Sequence, residues 1–217
     1  MDQKKLDQQS QHWQASFLSK PEMFGIEPSI AAVKALKSFK EQNIKNIVEL
    51  GAGLGRDTIF FAQNFIHVEG LDYSNASIEN ITTKSKKLNL TDFIKPKAFD
   101  VRKKLPFEDN SIEGCFSHML YCMALSNSDL DNLNNEICRI LKPGGINIYT
   151  ARHTGDGDYK NGIHIGEDLY ENGGFIIHFF SKEKINQLSK GFEVLDIEKF
   201  EEGKFPRKLF IVKNRKL

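Results

Sequence analysis

No stretch of this 217-residue chain approaches the ~20 consecutive apolar residues that a membrane span requires. No Gly-Lys-Ser or Gly-Lys-Thr tripeptide occurs, which excludes a phosphate-binding loop of the P-loop type. Cysteine is scarce: Cys115, Cys122 and Cys138 make an odd set without metal-ligand spacing, so neither a disulfide framework nor a zinc site is expected. With no signal-peptide pattern at the start, reduced thiols and a cytoplasmic location are expected. One-sided charge is also missing. Thirty Lys and Arg against 29 Asp and Glu leave a net charge of +1, which supplies no field for nucleic acid or an anionic membrane surface. The basic runs Lys84-Ser85-Lys86-Lys87 and Arg102-Lys103-Lys104 read as solvated surface.

What remains is ordinary soluble composition, and one domain over 1–217 is expected. Apolar runs predict strands at about 46–50, 66–71, 93–99, 112–117, 145–151, 192–199 and 207–213. Helices are predicted near 56–63, 75–88, 129–140 and 182–189. This alternation predicts an α/β, doubly wound, mostly parallel seven-stranded sheet. The polar Glu201-Glu202-Gly203-Lys204 is too short for a crossover helix, so the last two strands should be antiparallel. Two further helices are predicted at about 3–18 and 28–42. In the second, Pro28 suits the first turn, and Ile30, Val33, Ala35, Leu36 and Phe39 form the apolar stripe. Residues 152–180 read as an irregular, glycine-rich segment carrying His153, His164 and His178. The expected organisation is N-terminal helices over the active site (1–43), a binding core (44–151), a lid insertion (152–181) and a C-terminal helix with hairpin (182–217).

The chemistry concentrates in Val48-Glu49-Leu50-Gly51-Ala52-Gly53-Leu54-Gly55-Arg56-Asp57. A strand, a glycine turn and a helix start follow in that order, so free amides at the helix terminus are expected to face a nucleotide-like ligand. The dinucleotide pattern G-x-G-x-x-G fails at Arg56. Glu49 would repel a diphosphate and suits a ligand with an amine and a cationic sulfur. Asp72, 21 positions beyond Gly51, sits where an acidic residue meets ribose hydroxyls, with capping of the next helix by Asp72 or Ser74 as the alternative. Asp100 and the Val101 N–H end the third strand, where they could read an adenine edge.

In these motifs the chain resembles the class I S-adenosylmethionine (SAM) dependent methyltransferases over about residues 46–151. Glu49–Gly55 is similar to the family's first motif and Leu71-Asp72-Tyr73-Ser74 to its ribose-binding strand end. Asp100 with Leu105-Pro106-Phe107-Glu108-Asp109-Asn110-Ser111-Ile112 resembles the adenine-side motif, and Arg139-Ile140-Leu141-Lys142-Pro143-Gly144-Gly145 the turn before strand five. The resemblance implies a final strand inserted antiparallel, with SAM lying across the strand ends and S-adenosylhomocysteine as product. It implies backbone at Gly51 and Gly53 against the cofactor, Asp72 on the ribose and Tyr73 on the adenine. It further implies Asp100 and Val101 at the adenine edge, and Ser117 with His118 under the methionine end. Ala52, Gly55, Asp57 and Ser74, within the same motifs, complete the expected cofactor set.

His118 is the expected catalytic base, with pocket-shaping as its alternative role. Trp13, Phe17, Phe24, Tyr121, His153, His164 and Glu167 are the expected acceptor or lid residues, Met23 stands beside them, and no metal is expected. Ser117-His118-Met119-Leu120 stands where base-amino methyltransferases resemble one another in Asn/Asp-Pro-Pro-aromatic, so a small-molecule acceptor is expected rather than nucleic acid. The whole chain resembles small enzymes described as tellurite- or thiopurine-resistance-like. A nicotinamide-dependent reductase and a non-catalytic SAM binder are the alternatives, and a monomer or a homodimer fits equally.

Overall fold

Strand polarity follows from how the elements are joined. β1 (Asn46–Leu50), β2 (His67–Asp72), β3 (Ile94–Ala98) and β4 (Ile112–Ser117) pair in parallel, as do β4 and β5 (Leu141–Arg152). Helices α3 (Arg56–Gln63), α4 (Asn75–Lys87) and α5 (Asn127–Ile140) make most of the crossovers. β9 (Phe192–Glu202) and β10 (Arg207–Lys216) form a hairpin whose second strand inserts antiparallel beside β5, giving the order β3-β2-β1-β4-β5-β10-β9. The computed structural model describes residues 3–203 and 206–217. Lys204, part of the predicted hairpin turn, lies outside them.

Both sheet faces are buried, as a doubly wound sheet requires. On one, Val48, Leu50, Cys115 and Val212 pack against Leu130, Leu133 and Ile137 of α5 and Ile185 of α6 (Lys182–Leu188). On the other, Ile47, Phe116, Ile146 and Ile148 meet Phe61 of α3 and Ala35 and Phe39 of α2 (Ile30–Glu41). α2 starts later than expected: Ser29 is its N-cap, accepting from the Ala32 amide at 2.9 Å, so Pro28 precedes the cap. Ala35, Leu36 and Phe39 are buried as expected, but the stripe differs in its first turn. Ala31 and Ala32 are buried whereas Ile30 and Val33 are exposed, because the close approach to the sheet admits small side chains.

Residues 152–180 are more ordered than their composition suggests. β6 (Ile163–Gly166), β7 (Leu169–Asn172) and β8 (Phe175–His178) form an antiparallel three-stranded sheet. Left-handed glycines bound its short strands, among them Gly162 and the pair Gly173-Gly174 in the β7–β8 turn. α1 (Gln3–Ser19) lies between this sheet and α4. Gln9 of α1 donates to the Gly174 carbonyl, and Gln14 accepts from the Ser74 hydroxyl at 2.6 Å. These bonds hold α1 across the carboxyl ends of the parallel strands.

Candidate active site

Under α1 lies a cavity of about 570 Å³, floored by the ends of β1 and β2. Trp13 and Phe17 of α1, Phe24 after it and Phe175 of β8 roof it as one cluster. Trp13 stands 5.4 Å from Phe17 and 4.8 Å from Phe175. The predicted lid aromatics are thus brought together.

Four amides of the glycine turn itself bond within the protein. Gly51 and Ala52 both donate to the Leu71 carbonyl, Gly53 donates to Asp72 Oδ2 at 2.8 Å, and Gly55 donates to the Ala52 carbonyl. These four donors bond inside the protein and are unavailable to a diphosphate. Gly51, Ala52 and Gly53 nevertheless line the cavity, and Gly53 presents open backbone beneath Phe17 and Phe24. Gly55 does not line it. A Cβ there would stand 2.6 Å from Ile81, so this glycine lets α3 pack on α4.

The floor carries two buried carboxyl groups. Asp72 bridges the turn and α4, accepting from Gly53 and, through Oδ1, from the Ser74 amide at 2.9 Å. Burial raises its pKa to about 6, against the lowering effect of those two amides. Two acceptor sites of the carboxylate remain for a ligand. Glu49 is 3% exposed and accepts from Thr58 Oγ1, and burial, followed by the nearby Asp57 charge, holds its pKa well up. Tyr73, beside Asp72, also lines the cavity.

Several expected cofactor residues have other partners. Ser74 is the N-cap of α4 and is buried beneath Gln14. Asp57 accepts from the Ser29 amide at 2.8 Å and from its hydroxyl at 2.7 Å, tying α3 to the start of α2. Asp100 lines the cavity, but Arg102 chelates its carboxylate, with Nη2 at 2.7 Å, and that guanidinium also pairs with Asp7 of α1. Val101 is buried against the cavity. Ser117 is fully buried below the floor, its hydroxyl without a hydrogen-bond partner among the described residues.

The opposite wall carries the other polar group. His118 Nε2 lies 2.9 Å from Glu202 Oε2, and its Nδ1 lies 3.1 Å from Thr150 Oγ1. Thr150 Oγ1 accepts from the Met119 amide at 2.8 Å, which leaves its own proton for Nδ1 when the imidazole is neutral. The neutral ring then donates Nε2–H to Glu202. A second lone pair on Thr150 lets the same arrangement hold an imidazolium. Burial would raise the Glu202 pKa, but the hydrogen bond and charge of His118 and the nearby Arg56 bring it below the usual value. Sequence reading missed Glu202, Thr150 and the cavity-lining Arg207. Adjacent acidic residues in a polar hairpin carry no signal separating a site residue from a solvated turn.

Four expected acceptor or lid residues lie elsewhere. Tyr121 is fully buried and stacks on Tyr149 at 3.9 Å. His153 accepts from the Gly155 amide through Nδ1 and packs on Phe210. His164 Nε2 bonds the Glu167 carbonyl at 2.9 Å, so the histidine and glutamate fasten a turn. The Glu167 carboxylate accepts from the Asn127 amide at the start of α5.

Comparison with known proteins agrees with this fold. Residues 47–145 match the family model described as a methyltransferase domain. A 130-residue stretch is 35% identical to phosphoethanolamine N-methyltransferase 1 of Triticum aestivum, taking in 58% of this chain but 22% of that protein. The chain thus spans under a quarter of that curated relative's length. A SAM-dependent methyltransferase from Methanosarcina mazei superimposes with a TM-score of 0.70 at 19% identity, over 79% of this chain and 92% of that one. The 1,6-didemethyltoxoflavin-N1-methyltransferase of Burkholderia thailandensis, solved with its namesake ligand and S-adenosylhomocysteine, gives 0.68 at 15% identity over 94% and 86%. At these identities the solved structures establish the fold. Residues 47–145 are thus similar to a methyltransferase domain, within a fold shared with these solved structures.

Proposed function

We propose that this protein transfers the methyl group of SAM to a small-molecule acceptor held between the glycine turn and the His118–Glu202 pair. One observation carries the reading: a single roofed cavity joins the buried carboxylates Glu49 and Asp72 to a polar pair on the opposite wall. The floor fits the cofactor's chemistry. Its two buried carboxyl groups suit a cationic nucleoside with a sugar diol and an amine, and they disfavour the diphosphate of a nicotinamide cofactor. Asp72 would take the ribose hydroxyls, Tyr73 and Val101 would flank the base, and Glu49 would face the amino-acid end. Bound there, SAM supplies a methyl carbon already activated by its sulfonium.

The remaining work is orientation, exclusion of water and removal of a proton. Orientation contributes roughly 7–11 kcal/mol in favourable cases. The aromatic roof supports a lid role for α1 and the three-stranded sheet, which must part to admit ligands. The His118–Glu202 pair can take one proton, on the carboxylate or as an imidazolium facing it. The cavity's size and the net charge of +1 support a small acceptor over nucleic acid. The three cysteines are free thiols, which supports a cytoplasmic setting. Among the described residues no helix is long and apolar enough to cross a membrane.

The test is an acceptor panel with methyl-labelled SAM, read by S-adenosylhomocysteine formation. Turnover on a small molecule that is lost in Glu202→Gln supports the reading. SAM binding without turnover on any acceptor would make the protein a binder, and stabilisation by NADH alone would refute the assignment.

A further inference from the structure

Glu202 and Arg207 face each other across the β9–β10 hairpin. Residues directly opposite in an antiparallel pair project to the same side, within reach of an ion pair. None forms here. Glu202 gives one oxygen to His118 Nε2 at 2.9 Å and the other to the Ile30 amide at 3.3 Å. Arg207 has no carboxylate within ion-pair distance among the described residues, although it lines the cavity. The other guanidiniums lining the cavity have carboxylate partners: Arg152 pairs with Asp156 and Asp158, Arg102 with Asp100 and Asp7, and Arg56 with Asp57. One carboxylate, held by His118 and Ile30, and one uncommitted guanidinium therefore border the acceptor end side by side without pairing.

Resting on the function proposed above, we infer that this pair receives a zwitterionic acceptor, an amine bearing a carboxylate or phosphate a few bonds away. The ammonium goes to Glu202 and the anion to the planar fork of Arg207, which suits bidentate binding of either oxyanion. An ammonium has no lone pair, so it first gives one proton to the Glu202–His118 pair. The freed nitrogen lone pair then forms the new N–C bond to the methyl carbon. The C–S bond breaks with its electrons passing to sulfur, leaving a neutral thioether and a methylated amine. Arg207 thus sets specificity and Glu202 serves both recognition and proton removal.

The experiment is calorimetry on protein saturated with S-adenosylhomocysteine, titrated with phosphoethanolamine and glycine as zwitterions, and with ethanolamine and inorganic phosphate as the separate halves. Trp13, the only tryptophan and a cavity residue, gives a parallel fluorescence readout. At least one zwitterion should bind tenfold or more tightly than either half. Arg207→Ala should bring that zwitterion to the affinity of ethanolamine, and Arg207→Lys should restore part of the difference. Failure of both zwitterions to bind, equal affinity for ethanolamine, or selectivity unchanged in Arg207→Ala would each overturn the inference. Failure to bind S-adenosylhomocysteine at all would instead refute the cofactor assignment.

Discussion

Glu49, Gly53 and Asp72 on the cavity floor come from two consecutive strand–helix units, joined by backbone amides of the same turns. His118, Thr150, Glu202 and Arg207 on the acceptor wall come from the region after β4 and from β5, β9 and β10, brought together by the inserted final strand. The floor is a local device and the wall a tertiary one. Substitutions on the floor should therefore act on cofactor affinity, and those on the wall on acceptor turnover.

Glu202→Gln should give the largest effect. It keeps a hydrogen-bond acceptor for His118 but removes the charge, so kcat should fall by about 10²–10⁴, the range for a lost general base. SAM affinity should stay within about twofold, because Glu202 belongs to the wall. A matching loss in both quantities would erase the distinction between wall and floor.

The roof should respond to acid next. His178, at the end of β8, bonds the Leu125 carbonyl through Nδ1 and Lys184 through Nε2. Burial, then the Lys184 charge, lowers its pKa to about 4. A neutral histidine with a folded pKa below its unfolded value stabilises fully above about pH 6.5 and loses that contribution as pH falls towards 4. The loss should approach ~3 kcal/mol, read as denaturation midpoints between pH 7.5 and 4. His178→Gln should flatten that slope, and an unchanged slope would remove His178 from the account.

Asp72 has the opposite sign. Its folded pKa, raised to about 6, means that the free protein loses stability as pH rises from about 4 to 6, because the buried carboxylate then ionises. A cationic ligand favours the ionised form, so SAM affinity should climb with pH to about 6 and level off above it. Asp72→Ala should weaken SAM binding by about 1.5–3 kcal/mol, measured by calorimetry at pH 7.5. Unchanged affinity would take the floor's main anchor away.

Smallest of all, His164→Ala should change kcat/KM by less than about twofold, in keeping with a surface change away from the site. Its ring holds a turn of the small sheet outside the cavity. A large loss would mean that the turn reaches the acceptor.

The same division accounts for what could be read without coordinates. The β–α units of the core were legible, because β1, β2 and β4 are short, mostly buried runs closed by their own turns. Asp72 was legible because its spacing from Gly51 spans one β–α–β step. Glu202 was not, since its approach to His118, 84 positions away, depends on β10 entering between β5 and β9. The three-stranded sheet escaped notice because its strands are four residues long and its glycines read as loop. Tyr121 was expected at the acceptor because its place after β4 suggested the cavity, whereas Tyr149 on β5 holds it in the core.

A crystal structure of the protein with S-adenosylhomocysteine tests the central claim most directly. The account predicts both ribose hydroxyls on the Asp72 carboxylate and the sulfur turned towards the His118–Glu202 pair. A sulfur facing away from that pair, or a ribose held by any group other than Asp72, would contradict it.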